Sequence, residues 1–396
     1  MRTIGVIAEY NPFHSGHRHH LAECRRRFGA DCAVLCVMSG NFVQRGDAAI
    51  ADKWTRTRLA LEGGADLVLE LPTLWAAAPA EVFARGSVFL LTAAGAADTL
   101  CFGSEAGELE PLRQVKDCLD SPALRPLLRD YLDRGLSFPA ARQRAAGALL
   151  GEGADCLSHP NNTLGIEYLR AIDRLGSPLE PCTIPRLGAA HDDSTEKDAL
   201  HASASYLRGS ILSGCSAPLT PFLTGETEAL LRQDPASLAL CTRGVLARLR
   251  AMSSEDFSCL PDSGEGLDRR LYAAAQTASS LEELYDRAKT RRYPLARIRR
   301  MVLWAFLGLT EADRPDAPPY LRVLGFTPKG QEVLRRMKKT AALPVLTKPA
   351  HVERLSPEAR RVFATEARCT ALYDLCRTRF GETPGRNEYT QGPVRG

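Results

Sequence analysis

The chain has 396 residues, 44% of them hydrophobic and 25% charged, with a net charge of +4. That length exceeds one ordinary hydrophobic core and predicts two or three domains, and the composition is that of a globular protein without low-complexity tracts. No apolar run approaches the roughly 18–20 residues that span a bilayer, and a strand pattern begins at once with no secretory h-region, so a soluble, cytoplasmic protein without a membrane partner is expected.

The first strand is Ile4-Gly5-Val6-Ile7-Ala8, followed by Glu9-Tyr10-Asn11-Pro12-Phe13-His14-Ser15-Gly16-His17. A short apolar run, then Asn-Pro, then a His-rich polar segment reads as strand, tight turn and helix N-terminus. Backbone N–H groups at such a helix start bind anions, and Gly16 removes the side chain where phosphates must come close. His14 and His17 share one helix face and can donate hydrogen bonds to oxygens that gain charge in a transition state. A lone His-x-x-His also occurs on plain surface helices. Its place after a strand, with Gly between and Asn-Pro before, favours the His-x-Gly-His signature of enzymes that attack the α-phosphate of a nucleoside triphosphate.

Further strands are predicted at Ala33–Met38, Asp66–Leu71 and Thr99–Gly103, with helices over about 17–28, 52–62 and 79–94. The alternation implies an α/β fold, a parallel sheet with right-handed crossovers, and a ligand site beyond the carboxyl ends of the strands. The His14 loop, Ser39-Gly40, Glu70 and Gly103-Ser104-Glu105 lie at those ends. Residues 106–150 read as a helical insertion, and the first domain resumes near Asn161–Leu169 with a strand ending at Ile184-Pro185-Arg186. The stretch 188–198 reads as mobile. Ser203-Ala204-Ser205-x-x-Arg208 could be an ordinary Ser N-cap, but following His-x-Gly-His in the chain it resembles the late Ser/Thr-rich turn, with an Arg one turn on, that grips the β- and γ-phosphates in nucleotidyltransferase-like enzymes. The expected division is a nucleotide domain over 1–215, a mainly helical domain over 216–380 and a disordered tail over 381–396.

Twelve cysteines form no C-x-x-C pair, and none alternates with His at ligand spacing. They read as reduced thiols, and no resident metal is expected. Between Arg287 and Arg300 stand seven Lys or Arg and no acid, and Arg335, Arg336, Lys338 and Lys339 follow. Two basic runs so close together point to a polyanion partner.

Several runs together carry a resemblance: the His14 segment, Val37-Met38-Ser39-Gly40-Asn41-Phe42-Val43-Gln44-Arg45-Gly46, Asp52-Lys53-Trp54, Gly64-Ala65-Asp66-Leu67-Val68-Leu69-Glu70-Leu71-Pro72, Phe102-Gly103-Ser104-Glu105, Pro160-Asn161-Asn162, Lys289-Thr290-Arg291-Arg292-Tyr293 and Arg322-Val323-Leu324-Gly325-Phe326. Over most of its length the chain resembles the bacterial tRNA(Met) cytidine acetate ligase family. The resemblance implies a Rossmann-like nucleotidyltransferase domain followed by a helical tRNA-binding domain. It implies a reaction in which acetate and ATP give acetyl-adenylate, which acetylates N4 of the wobble cytidine of elongator tRNA(Met), with Mg²⁺ carried by the nucleotide. It places ATP on Ile7, Ala8, Glu9, Tyr10, Asn11, Pro12, Phe13, His14, Gly16, His17 and His20, with Gly103, Asn161 or Asn162, and Arg186 completing the adenosine site and Ser205 and Arg208 on the phosphates. His14, His17 and Lys53 are the expected catalytic groups; Lys289, Arg291, Arg292, Arg297, Arg299 and Arg300 are the expected tRNA contacts. Oligomeric state is not legible. A small-molecule adenylyltransferase of the pantetheine-phosphate or nicotinate-mononucleotide type is the alternative, but it leaves residues 220–380 without a task. An RNA-binding protein with a vestigial nucleotide fold would show erosion at His14, His17 or Ser205, and all three are present.

Overall fold

The fold is described from a computed structural model, for residues 1–186, 203–220, 222–380 and 387–396. The sequence elements form where their patterns place them. β1 (Thr3–Ala8), α1 (Ser15–Phe28) and β2 (Ala33–Ser39) make the first crossover, and a small antiparallel pair, β3 (Phe42–Val43) and β4 (Asp47–Ala48), follows. α2 (Lys53–Glu62) starts where the Asp52 carboxylate accepts the Trp54 and Thr55 N–H groups at 2.9 and 3.0 Å, a capping bond worth about 1 kcal/mol. β5 (Leu67–Leu71), α3 (Thr73–Ala76), α4 (Ala80–Ala94) and β6 (Thr99–Ser104) continue the alternation. The insertion is three helices, α5 (Leu109–Asp120), α6 (Leu124–Asp133) and α7 (Phe138–Leu150). α8 (Pro160–Leu175), β7 (Glu180–Pro185) and α9 (Ala204–Leu212) follow. The expected mobile stretch at 188–198 lies outside the described residues.

The strand order explains why the site sits where it does. β1 pairs in parallel with β2 on one side and with β6 on the other, and β7 lies beyond β6. The chain leaves β1 toward β2 and later returns to its opposite side, so the ends of β1 and β6 flank a topological switch point, where α/β sheets bind ligands. Both faces are covered, and the period of two in each strand divides the core. Val34, Cys36 and Met38 of β2 pack with Leu21 and Cys24 of α1 and Leu59 and Ala60 of α2. Leu35 and Val37 turn the other way, into a cluster with Trp75, Phe83, Leu91 and Ile166.

The later half is not a separate helical body. β8 (Leu321–Phe326) joins the sheet antiparallel to β5, and it carries β9 (Val345–Leu346) and β10 (Val394–Arg395) in parallel pairings. The larger core cluster runs on without a break into Met301, Trp304 and Phe363. Trp304 Nε1–H donates to the Ala77 carbonyl at 2.7 Å, and the Tyr373 hydroxyl donates to the Ala49 carbonyl at 2.8 Å. The division at 215/216 therefore corrects to a helical half that contributes strands to the first sheet. The expected disordered tail corrects likewise over residues 387–396, which form a short helix, Asn387–Thr390, and β10, with Glu388 fully buried. Both segments are short, and β10 is flanked by Gly and Pro, so no periodic signal announced them.

Gly46 shows how closely the halves meet. Its φ is 77°, and a Cβ there would lie 2.5 Å from the Arg299 carbonyl carbon and the Arg300 nitrogen. Only glycine allows the β3–β4 turn to lie on the backbone of the helix Leu295–Leu307.

Candidate active site

The turn after β1 is built around its two histidines. His14 is the N-cap of α1: its Nδ1 accepts the Gly16 N–H at 3.1 Å. His17 reaches back, and its Nδ1 accepts the His14 N–H at 3.3 Å. The arrangement is a capping box made with imidazoles in place of the usual Ser and Glu. It also fixes the tautomers, because a nitrogen that accepts a backbone N–H leaves the ring proton on Nε2. Two Nε2–H donors thus stand side by side at a helix N-terminus, their rings 4.0 Å apart. Tyr10 closes edge-on against His17 at 4.9 Å and Phe13 lies at 5.7 Å. Burial, then the neighbouring His14 and Arg186, hold the His17 pKa well below the ordinary imidazole value. Burial and Arg186 lower His20 to about 4. At neutral pH both are neutral donors. His20 turns away from the phosphate turn: its Nε2 lies 3.8 Å from Cys101 Sγ.

The turn is held from below. Asn11 Oδ1 accepts the Ile50 N–H at 2.8 Å, and Glu9 Oε1 accepts the Gln44 N–H at 2.8 Å. Arg56, fully buried, donates to the carbonyls of Ala51 at 2.8 Å, Glu9 at 2.7 Å and Ser39 at 3.1 Å, and to that of Gly40. One guanidinium thereby ties the ends of β1 and β2 to α2, a role that the sequence reading missed. The second motif arrives from the far end of the sheet domain. Ser203 caps α9 by accepting the Tyr206 N–H, and Leu207 and Ile211 seat that helix against Ile50 and Ala51. Arg208 then donates to the Asn11 carbonyl at 2.6 Å and to Ser205 Oγ at 3.1 Å. The early and late motifs, nearly two hundred residues apart in sequence, meet at one turn.

The other wall comes from β6 and β7. Gly103 lies under Arg186: a Cβ there would be 3.2 Å from Arg186 Cγ. Arg186 donates to Asn161 Oδ1 at 3.3 Å. Glu105 organises the adjacent pair, accepting the Asn161 side-chain amide at 2.6 Å and the Asn162 N–H at 2.8 Å. Asn162 is buried and spends its Oδ1 on the Ala106 N–H at 2.9 Å. The two asparagines, equivalent in sequence, therefore separate: Asn161 sits with Arg186 at the half-buried rim, and Asn162 holds the loop. Glu105, which the sequence placed at a strand end without a role, carries that distinction.

Lys53 does not join this group. It is 0% exposed and its ammonium is paired with Glu70 Oε1 at 2.5 Å and with Glu388. Burial pulls its pKa down, and Glu388, Glu70 and Glu366 outweigh that and raise it. Glu366, which accepts the Thr73 N–H at 2.6 Å, is pushed up to about 8 by burial and by Glu70. The structure places Lys53, expected among the catalytic groups, in a buried pairing with carboxylates from β5 and from Glu388; none of these partners was visible in the local sequence.

The basic segment also divides. Arg297 pairs with Glu265 at 2.8 Å, Arg300 with Asp262 at 3.2 Å, and Arg292 reaches Glu265 at 3.6 Å. Arg299 lies over the Tyr285 ring at 5.5 Å. Lys289 and Arg291 are exposed, and among the described residues no carboxylate pairs with them.

A Rossmann-like sheet with His-x-Gly-His at the end of its central strand defines a nucleotidyltransferase, and the model of the family described as HIGH Nucleotidyl Transferase matches residues 1–387. The relative named tRNA(Met) cytidine acetate ligase from Acetivibrio thermocellus is 36% identical, over 100% of both chains. That of the same name from Clostridium acetobutylicum is 37% identical over 88% of this chain and 90% of its own. The crystal structure of Thermotoga maritima TmcAL in its apo form superposes with a TM-score of 0.93 at 29% identity, covering 100% of this chain and 99% of the other. The same protein bound with alpha-thio ATP gives 0.91 at 29% identity with the same coverage. The chain belongs to the tRNA(Met) cytidine acetate ligase family.

Proposed function

We propose that this chain activates acetate with ATP and transfers the acetyl group to N4 of the wobble cytidine of elongator tRNA(Met), at the turn described above. The observation that carries the reading is the convergence of two motifs on one anion site, the paired Nε2–H donors of His14 and His17 with Arg208 anchored beside them. Acetate is already an anion at neutral pH, so the first step needs no general base. Its carboxylate oxygen attacks the α-phosphorus, and the bond to pyrophosphate breaks. The developing negative charge is met by fixed neutral donors and by Arg208, preorganised before the charge appears. Arg186 and Asn161, with Gly103 leaving room for the Arg186 stem, suit adenosine. The cytosine amine then attacks the acetyl carbonyl, and AMP and a proton leave.

Mg²⁺ would enter with ATP, held by phosphate oxygens and water. Glu9, the acidic group of the turn, is spent on the Gln44 N–H. The metal would neutralise phosphate charge there. The exposed Lys289 and Arg291 suit the phosphates of a folded RNA. Among the described residues no helix is long and apolar enough to cross a membrane, and a tRNA acceptor suits a protein of the cytoplasm.

The test is incubation of the purified protein with ATP, Mg²⁺, radiolabelled acetate and unmodified elongator tRNA(Met), followed by nucleoside analysis. Label in N4-acetylcytidine is the expected result. Pyrophosphate release without labelled tRNA overturns the acceptor and returns the fold to small-molecule adenylyl transfer.

A further inference from the structure

The face of the sheet that packs on α1 carries a second group of donor atoms, apart from the phosphate turn. His20 and Cys24 stand four apart on α1, one above the other on the same helix face. Cys101 projects from β6 onto that face, since the period of two turns Leu100 and Phe102 the opposite way. The ligating atoms of His20, Cys24 and Cys101 all lie within 4.8 Å of one another. Cys182 is the register partner of Cys101 on the neighbouring parallel strand and packs against the same cluster. It is half-buried, whereas Cys24 and Cys101 are fully buried.

We propose that His20, Cys24, Cys101 and Cys182 form a binding site for a thiophilic cation of the Zn²⁺ type. A tetrahedral zinc with bonds of about 2.3 Å to sulfur and about 2.0–2.1 Å to nitrogen has donor–donor edges of roughly 3.5–3.8 Å. The His20 Nε2 to Cys101 Sγ distance is 3.8 Å, the length of such an edge. His20, Cys24 and Cys101 therefore need only small movements to close on an ion, and Cys182, which stands outside that group, must turn its thiol in from the neighbouring strand. The set is soft, three thiols and one imidazole, which selects zinc over the hard Mg²⁺ that accompanies a nucleotide. Three thiolates and Zn²⁺ leave one negative charge, and Arg27 Nη1 lies 3.8 Å from Cys182 Sγ to meet it. Cys182, at the half-exposed edge, gives the ion its way in. Sequence spacing hid the site because its donors come from one helix and two strands that are far apart in the chain.

The ion joins α1, whose first turn carries His14 and His17, to β6 and β7, whose ends carry Gly103 and Arg186. Its occupancy fixes the distance between the phosphate turn and the adenosine wall. Each bound ion releases thiol protons, so affinity rises with pH.

The test uses the full chain, stripped of metal under reducing conditions and titrated with Co²⁺ as a spectroscopic probe and then with Zn²⁺. The expected result is one cobalt per chain, with the thiolate charge-transfer band and the visible bands of tetrahedral cobalt, displaced by zinc with a dissociation constant below about 1 µM. Cys24→Ser should weaken binding about 100-fold or more, since even an outer partner of a metal ligand is worth 10–100-fold; Cys259→Ser, at an exposed cysteine, should leave it unchanged. Zinc X-ray absorption on the wild-type protein needs no variant, and should show three sulfurs at about 2.3 Å and one nitrogen. Absence of stoichiometric cobalt binding, or a zinc shell of oxygen and nitrogen alone, overturns the proposal.

Discussion

Replacing Lys53 with Met tests whether that residue is catalytic or a buried counter-ion. The cluster around it holds three buried carboxylates, Glu70, Glu366 and Glu388, and two cations, Lys53 and Arg322. Glu366, pushed up to about 8 by burial and by Glu70, is mostly protonated at pH 7, so the remaining two carboxylates balance the two cations. Met fills the volume of the lysine stem and removes the charge, which leaves one buried carboxylate without a counter-ion. Each pair contributes about 4 kcal/mol of gross attraction at a charge separation of about 4 Å and an effective dielectric of about 20. Lysine's own desolvation is recovered on substitution, and the net loss on breaking a buried pair is about 3–5 kcal/mol. Urea unfolding at pH 7 should show that loss. Adding Glu70→Gln to Lys53→Met should restore a large part of it, because the unpaired charge is then gone. ATP–pyrophosphate exchange with acetate, measured well below the unfolding transition, should stay near the wild-type rate. A stability change under about 1 kcal/mol, within the range of ordinary surface substitutions, together with a collapse of exchange would refute the counter-ion reading and return Lys53 to the reaction.

His17→Ala should lower acetate-dependent pyrophosphate exchange by about 10²–10³, the usual effect of losing one transition-state donor, and cost about 1 kcal/mol of stability through the lost cap on the His14 N–H. Exchange near the parent rate would remove His17 from the chemistry. Lys289→Ala with Arg291→Ala should weaken tRNA binding and flatten its salt dependence by about one unit of log–log slope for each phosphate no longer neutralised, while acetyl-adenylate formation is spared; Arg297→Ala, which breaks the bonds to Glu265 and Asp262, should instead destabilise the fold. The His20 pKa, lowered to about 4 by burial and Arg186, sets an acid limit. Below about pH 6.5 the unfolded chain binds a proton that the folded chain refuses, so the stability present above pH 6.5 is lost as pH falls toward 4. The full shift would cost about 3 kcal/mol at 1.36 kcal/mol per unit, and partial exposure of the residue reduces this to about 1–2 kcal/mol. Urea midpoints of the metal-stripped protein at pH 7 and pH 4.5, compared with those of metal-stripped His20→Gln, should show that the variant loses less stability on acidification.

Sequence alone determined whatever is encoded within a few residues. The β1 turn, its helix start and the Gly between two histidines are local because strand period, capping and φ preferences act over one or two turns of chain. The same holds for β2, β5, β6 and the Ser203 cap of α9, and the resemblance carried by these runs supplied the chemistry. Tertiary structure decided whatever depends on a partner distant in the chain. Asn161 and Asn162 have the same side chain in adjacent positions, and only the placement of Glu105 and Ala106 separates the rim residue from the buried one. Lys53 follows a helix cap like any surface lysine; the carboxylates that bury it come from β5 and from Glu388, beyond the reach of any local pattern. Arg297 and Arg300 read as free positive charge until the fold brings Asp262 and Glu265 against them. Strand β10, two residues long, owes its place to the exposed edge of β8, because a hydrogen-bonding edge, unlike an apolar period, leaves no mark in the sequence of the segment that pairs with it.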